Sequence, residues 1–175
     1  GNVVEYSTLI GGQAAGVPGT VSGFWKAHQR FGKLPWKELV EPAIKLAEEG
    51  FFPAKILVDD IQGMRDWFRN KTNFEQYFLH IDTKEKFKQP ELAETLRRIA
   101  EFGAEDFYFG KTAELTVEQM KKSNGLITME DLNAYEAVWR KPLRARWRDY
   151  EIISSPPPSS GGFAIIQLLK MKDYL

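Results

Sequence analysis

The 175-residue chain contains no cysteine, which removes disulfide bonds, a thiolate nucleophile and any Cys-ligated zinc site at once. Histidine is nearly absent as well, with only His28 and His80. Neither has a second histidine four residues away, the spacing that puts two ligands on one helix face, so no metal site is assigned. Net charge is missing too: 24 basic residues balance 24 acidic ones, and no global field draws the chain to nucleic acid or an anionic membrane. No apolar run is long enough to cross a bilayer as a helix. The chain starts at Gly1-Asn2-Val3-Val4 without an initiator methionine or signal segment, and stops at Met171-Lys172-Asp173-Tyr174-Leu175 while a helical pattern is still running. A piece of a longer protein is the expectation.

What is present is mostly helical punctuation. After an extended start, Val17-Pro18-Gly19-Thr20 reads as a turn, with Thr20 capping a helix from Val21 to Phe31 and Gly32 stopping it. Pro35 suits the first turn of a second helix, along which Leu39, Ala43, Leu46 and Ala47 recur; Gly50 ends it and Pro42 is expected to kink it or split off an entry turn. A third helix opens at Pro53 with the stripe Ile56, Leu57, Ile61, Met64, Trp67 and Phe68, interrupted by Gly63. Residues 70–88 read as loop with a short helix at 74–79, and within them Asn70-Lys71-Thr72 is a glycosylation sequon that matters only in a eukaryotic secretory protein.

Gln89-Pro90 leads into an amphipathic helix with Leu92, Leu96, Ile99 and Ala100 inside and Gly103 as its stop. Asp106 to Gly110 reads as an aromatic turn, Thr112 to Ser123 as a helix closed by Asn124-Gly125, and Thr128-Met129-Glu130-Asp131 as a capping-box start for a short helix ending near Tyr135. From Val138 the period becomes two. Leu143, Ala145 and Trp147 alternate with Arg144, Arg146 and Arg148, and Tyr150 to Ser154 follows as a second strand, giving a β-hairpin over 136–155 with one charged face. Helices first and a strand pair late make an α+β order.

The run Pro156-Pro157-Pro158-Ser159-Ser160-Gly161-Gly162 follows as a connector over 156–162. Three prolines fix φ and remove three donors, so an extended, polyproline-like lead-in is expected. The serines and glycines then form either an anion cradle at a helix start or, the favoured reading, caps for a helix from Phe163 onward.

Other chemistry is thin. Asp59-Asp60 and Glu48-Glu49 are adjacent pairs, and neighbouring helix residues do not face each other, so neither is an acid-base dyad. Ser159 and Ser160 do not sit in a Gly-x-Ser-x-Gly elbow, and no histidine lies beside them. Trp139 to Arg148 mixes basic and aromatic residues as single-strand nucleic-acid platforms do, but strand alternation puts Trp147 opposite Arg144, Arg146 and Arg148. A solvated, charge-protected edge strand is the better account, and no nucleic-acid partner is expected.

The ordered segments are more specific than any one residue. Ala15-Gly16-Val17-Pro18-Gly19-Thr20-Val21-Ser22-Gly23, Gly32-Lys33-Leu34-Pro35-Trp36, Pro42-Ala43-Ile44-Lys45-Leu46-Ala47-Glu48-Glu49-Gly50-Phe51, Gly125-Leu126-Ile127-Thr128-Met129-Glu130-Asp131-Leu132-Asn133-Ala134-Tyr135 and Pro156 to Gly162 together resemble the large subunit of γ-glutamyltransferases. Gln89 to Leu96 and Phe107-Tyr108-Phe109-Gly110 fall in the expected order, and the likeness is weakest over 70–88.

The resemblance implies that residues 1–175 are the central part of that subunit, within the αββα fold of N-terminal-nucleophile hydrolases. It further implies a self-cleaving precursor, a periplasmic or extracellular location and no cofactor. In the family, a threonine freed at the start of the small subunit attacks the γ-glutamyl amide of glutathione or a related compound, and water or an amino acid or peptide accepts the glutamyl group. The nucleophile and oxyanion hole would lie beyond Leu175 and the carboxylate-binding arginine before Gly1. No arginine here, Arg140 and Arg148 included, matches that position, so no catalytic residue is assigned. The chain alone is expected to be inactive, with the small subunit and the rest of the large subunit as its partners.

Where family members often have Tyr-Arg-Gly-Tyr, this chain has Trp147-Arg148-Asp149-Tyr150, and aspartate is expected to take the left-handed turn position. Alternatives are a related cephalosporin or glutaryl acylase, a polyglutamate-processing enzyme, or a stand-alone binding module.

Overall fold

A computed structural model describes residues 8–173. The chain divides into two compact units, Gly1–Ala137 and Val138–Leu175. The first is helical; the second is a hairpin and one helix. This is the α+β arrangement expected. The extended start and the last two residues of the terminal helical pattern lie outside the described residues.

In the first unit a 3-10 turn, Gly12–Ala14, precedes α1, Thr20–Phe31. Thr20 is the first residue of α1 and not its cap; Gly19 occupies that position with no side-chain hydrogen bond. Packing keeps that position a glycine, because a Cβ on Gly19 would collide with the Tyr135 hydroxyl. The next helix, α2, Trp36–Glu49, runs through Pro42 without splitting. It lies against α6, Pro90–Phe102, and the two bury Ile44 and Ala47 with Ala93, Ile99 and Ala100. The alanines among them, Ala47, Ala93 and Ala100, let the helix axes approach. Trp36 fastens the pair by donating its indole N–H to the Ile99 carbonyl at 2.8 Å.

The third helical stretch is two helices, α3, Lys55–Gly63, and α4, Arg65–Phe68. Gly63 and Met64 break it, so the glycine weakens the helix beyond a loss of propensity. Pro53 lies ahead of α3, buried, and Ala54 takes the N-cap. α5, Phe74–Phe78, sits where the short loop helix was expected. Its neighbourhood is aromatic, with Phe78 6.1 Å from Phe87 and Phe87 6.0 Å from Phe51, and the loop is pinned by the antiparallel bridge Phe51–Phe87. Gly50 is needed at that bridge. Its φ is 76° and a Cβ would lie 2.8 Å from the Phe87 carbonyl.

The stretch Asp106 to Gly110, expected to be a turn, falls largely in a helix, α7, Glu105–Phe109, with Glu105 and Asp106 in its first turn. It is followed by α8, Lys111–Lys122, and α9, Met129–Ala134. α9 carries the capping box the sequence announced. The Thr128 hydroxyl accepts from Asp131 N–H at 3.1 Å, and the Thr128 N–H donates to the Asp131 carboxylate at 2.8 Å. Tyr108, Ala113, Ile127 and Leu132 form the core of these three helices, flanked by Val17, Val21, Phe107 and Tyr135. Leu132 is fully buried, a contribution of about 1.5–3 kcal/mol.

In the second unit, β1, Leu143–Trp147, pairs antiparallel with β2, Tyr150–Ser154, and Leu143 faces Ser154. Residues 136–142 carry no strand. The left-handed turn residue is Arg148, with φ 54°, so the expectation that Asp149 would hold it is off by one position. α10, Gly161–Lys172, packs on both strands.

The connector also departs from expectation. Pro157-Pro158 is a cis peptide, and Ser159 N–H donates to the Pro156 carbonyl at 3.2 Å, so the prolines make a turn in place of an extended lead-in. Prolines lack donors, but their carbonyls still accept, and Ser159 supplies the missing N–H. α10 starts at Gly161, not Phe163, and Ser160 at its N-cap makes no side-chain cap.

Candidate functional site

The residues singled out in the sequence are spread through both units. His28 is half-buried on α1, beside the rings of Trp25 and Trp36 at 6.0 and 5.2 Å, with Nε2 2.8 Å from the Leu34 carbonyl. That contact clasps the turn joining α1 to α2. His80 is exposed and lies 6.2 Å from the Phe87 ring. Among the described residues, no group of three His, Asp or Glu side chains is placed to hold a metal ion.

The carboxylate pairs separate as helix geometry requires. Glu48 pairs with Arg97 across α2 and α6, and Asp59 pairs with Lys55 one turn away at 2.5 Å. The hydrogen bond that Arg97 donates to Glu48 raises its guanidinium above its ordinary value, with the nearby carboxylate charges acting in the same direction against desolvation. Neither pair forms a dyad.

One polar cluster was not legible in the sequence. Asp106 is buried, and its Oδ1 accepts the Lys111 N–H at 3.1 Å, capping the first turn of α8. Its Oδ2 accepts from the Thr112 hydroxyl and from Arg98 Nε at 3.2 Å. Arg98 Nη2 also donates to Thr95 and Thr112 at 3.1 and 3.2 Å. A negative carboxylate at a helix N-terminus opposite a guanidinium is doubly stabilised. Every Asp106 oxygen is thereby engaged, and no nucleophile or base is left free to act on a substrate. The cluster ties α6, α7 and α8 together. Gly110 is part of it, since a Cβ there would sit 2.8 Å from Asp106 Oδ1.

An open groove of about 530 Å³ lies between α5 and the start of α6, bordered by Tyr77, Phe78, His80, Lys88, Glu91 and Thr95.

In the second unit, basic side chains are engaged locally, Arg144 by an acid and Arg140 and Arg146 by backbone carbonyls. Arg144 bonds Glu151 across the hairpin at 2.6 Å, and Arg140 Nη1 reaches the Pro157 carbonyl at 3.4 Å. Arg148 does not share a face with Arg144 and Arg146 as the alternation suggested. Its positive φ turns it back, with the guanidinium 4.5 Å from the Trp147 ring centroid and Nε 3.7 Å from Asp173. Trp147 donates to the same Asp173 carboxylate at 3.1 Å. Ser159 and Ser160 are exposed at the connector.

The described residues therefore contain a scaffold of interlocked helices and a hairpin, and no nucleophile–base constellation. Comparison with known proteins gives this scaffold its place. The family model described as gamma-glutamyltranspeptidase matches residues 2–175. A glutathione hydrolase proenzyme of Pseudomonas aeruginosa is 50% identical over 173 residues, which are 99% of this chain and 31% of that protein. The chain thus spans about a third of the length of such a relative. Among solved structures, a gamma-glutamyltranspeptidase from Pseudomonas nitroreducens complexed with L-DON superposes with a TM-score of 0.95 at 51% identity, over 99% of this chain and 52% of that one. The Helicobacter pylori gamma-glutamyltranspeptidase superposes with a TM-score of 0.89 at 42% identity, over 96% and 50%. With a family match along nearly its whole length and a fold shared at this level of identity, the chain belongs to the gamma-glutamyltranspeptidase family.

Proposed function

We propose that the protein carrying this chain cleaves the γ-glutamyl amide of glutathione and related compounds and passes the glutamyl group to water or to an amino acid or peptide. The observation that carries the reading is the family match over residues 2–175. The chemistry proceeds through an acyl-enzyme on a threonine at the new N-terminus of a small subunit, produced when a precursor cuts itself, and the threonine's own amine serves as base. That N-terminal-nucleophile core is an αββα sandwich, and the chain's hairpin and helices are its central large-subunit portion. The location is periplasmic or extracellular.

This chain's role is structural. α10 supports that reading: Phe163, Ile165, Leu168 and Met171 are 55, 49, 65 and 61% exposed, although the helix is apolar on every side. A helix of that composition belongs in an interior. The small subunit and the remainder of the large subunit are the partners that cover it. The full-length protein is expected to release p-nitroaniline from γ-glutamyl-p-nitroanilide, and the 175-residue chain alone to release none above a heat-killed control. Hydrolysis by the isolated chain, or none by the full-length protein, overturns the proposal.

A further inference from the structure

Asn124 and Gly125 close α8 in a geometry that dictates both residues. Gly125 N–H donates to the Met120 carbonyl at 2.7 Å, and Asn124 takes a left-handed φ of 51°, the pattern of a Schellman C-cap. After glycine, asparagine is among the residues that bear this φ best. Gly125 is crowded, because a Cβ would collide with Met120 Sδ and lie 3.1 Å from the Gly12 carbonyl oxygen. The reciprocal Cβ on Gly12 would lie 2.9 Å from Gly125 Cα, so the two backbones abut. Conformation selects asparagine at one position and crowding selects glycine at the next. Their product is an Asn-Gly pair, in which no side chain shields the asparagine amide carbon from the following backbone nitrogen.

Asn124 is exposed, so water reaches it. We propose that Asn124-Gly125 is a self-modification site whose rate is governed by opening of the α8 C-cap. Gly125 N gives its proton to solvent hydroxide and attacks Asn124 Cγ. The N–Cγ bond forms, the Cγ–Nδ2 bond breaks, and the side-chain amide leaves as ammonia after taking a proton from water. Water then adds to one carbonyl of the resulting succinimide ring and opens it to an aspartyl or isoaspartyl residue. No oxidant or reductant is involved.

While the cap is closed, Gly125 N–H is engaged by Met120 and its nitrogen cannot attack; opening releases it. The product does not allow the cap to close as before. It places a carboxylate at the negative end of α8, and the isoaspartyl form also adds a carbon to the main chain where Gly125 abuts Gly12. Opening is thereby recorded irreversibly in the covalent structure.

The test compares the folded full-length protein with a synthetic peptide spanning residues 119–129, both followed by peptide mapping and isoaspartyl-specific methylation. In the folded protein, conversion at Asn124 is expected to be at least about tenfold slower than in the peptide, and to approach the peptide rate in denaturing urea. Gly12→Ala, whose Cβ would press on the Ser123 carbonyl at 2.8 Å, is expected to speed it. A folded-state rate equal to the peptide's, or no acceleration in urea, overturns the proposal. If Gly12→Ala does not fold, exchange of the Gly125 amide in the unmutated protein replaces it. Conversion and amide opening should then rise together in sub-denaturing urea, and a conversion rate that stays flat while opening rises overturns the proposal.

Discussion

The phenol of Tyr108 on α7 donates a 2.6 Å hydrogen bond to the carbonyl of Pro18, ninety positions earlier in the chain. The same oxygen accepts the Ser22 N–H at 3.2 Å, so a single buried hydroxyl fixes the turn before α1 and the first turn of that helix. Tyr108 is 2% exposed and stacks on Tyr135 at 5.6 Å.

Tyr108→Phe keeps the packing and strands the Pro18 carbonyl and the Ser22 N–H. The expected loss is about 1–3 kcal/mol, read as a lower urea midpoint with an unchanged m-value. The phenol also gives an alkaline signature. Burial, the largest influence, raises it above its ordinary 10.0. A raised acid contributes stability that is complete below the unfolded value and is lost as pH climbs through the folded one. Stability measured across alkaline pH should therefore decline above 10.0 in the native protein, and this component should vanish in Tyr108→Phe.

Removing the Asp106 carboxylate should be more damaging than removing any surface acid. Asp106→Ala deprives Lys111 N–H of its acceptor and leaves Arg98, whose side chain is 23% exposed, without its counter-charge. The penalty is about 3 kcal/mol, at the lower end for a broken buried pair because Arg98 retains some water. Thermal unfolding of Asp106→Ala beside Glu130→Ala, an exposed residue on α9, gives the comparison.

The two glycines that begin α10 should respond oppositely to alanine. A Cβ on Gly162 would lie 2.7 Å from the Ser155 carbonyl, and one on Gly161 meets nothing nearer than Ser159 Oγ at 3.8 Å. Gly162→Ala is expected to destabilise by about 1–3 kcal/mol. Gly161→Ala should be neutral or stabilising by up to about 1 kcal/mol through helix propensity. Differential scanning calorimetry of both variants separates the outcomes, and equal losses would contradict the packing described.

The capping box of α9 should titrate. Hydrogen bonds from Thr128, the backbone one first and the hydroxyl second, hold the Asp131 carboxyl below its ordinary 3.8. A depressed acid contributes stability that is complete above the unfolded value and is lost as pH falls through the folded one. Amide exchange in α9 is therefore expected to quicken below pH 3.8, and Thr128→Ala to show faster exchange already at neutral pH with a weaker acid response.

Features that depend on a few consecutive residues were legible in the chain. Thr128 and Asp131 are three positions apart, so their reciprocal bonds need only the local helix start. The alternation of Leu143, Ala145 and Trp147 locates β1 for the same reason. Failures occurred where a distant group intervenes. The cap falls on Gly19 and not Thr20, at a position where Tyr135, at the end of α9, leaves no space for a side chain. The aromatic stretch 105–109 becomes helical in the setting of Asp106, Arg98 and Thr112, which converge from three helices.

The helical order, the late hairpin, the absence of cysteine chemistry and the family follow from periodicity, composition and ordered motifs along the chain. The turn of the proline run, the folding of Arg148 back onto Trp147, the crowding of Gly162 beside an open Gly161 and the use of Asp106 as a clasp emerge only from the folded chain. Those outcomes are set by the distance between atoms far apart along the chain, and burial makes each unsatisfied donor or overlapping atom costly enough to override local preference.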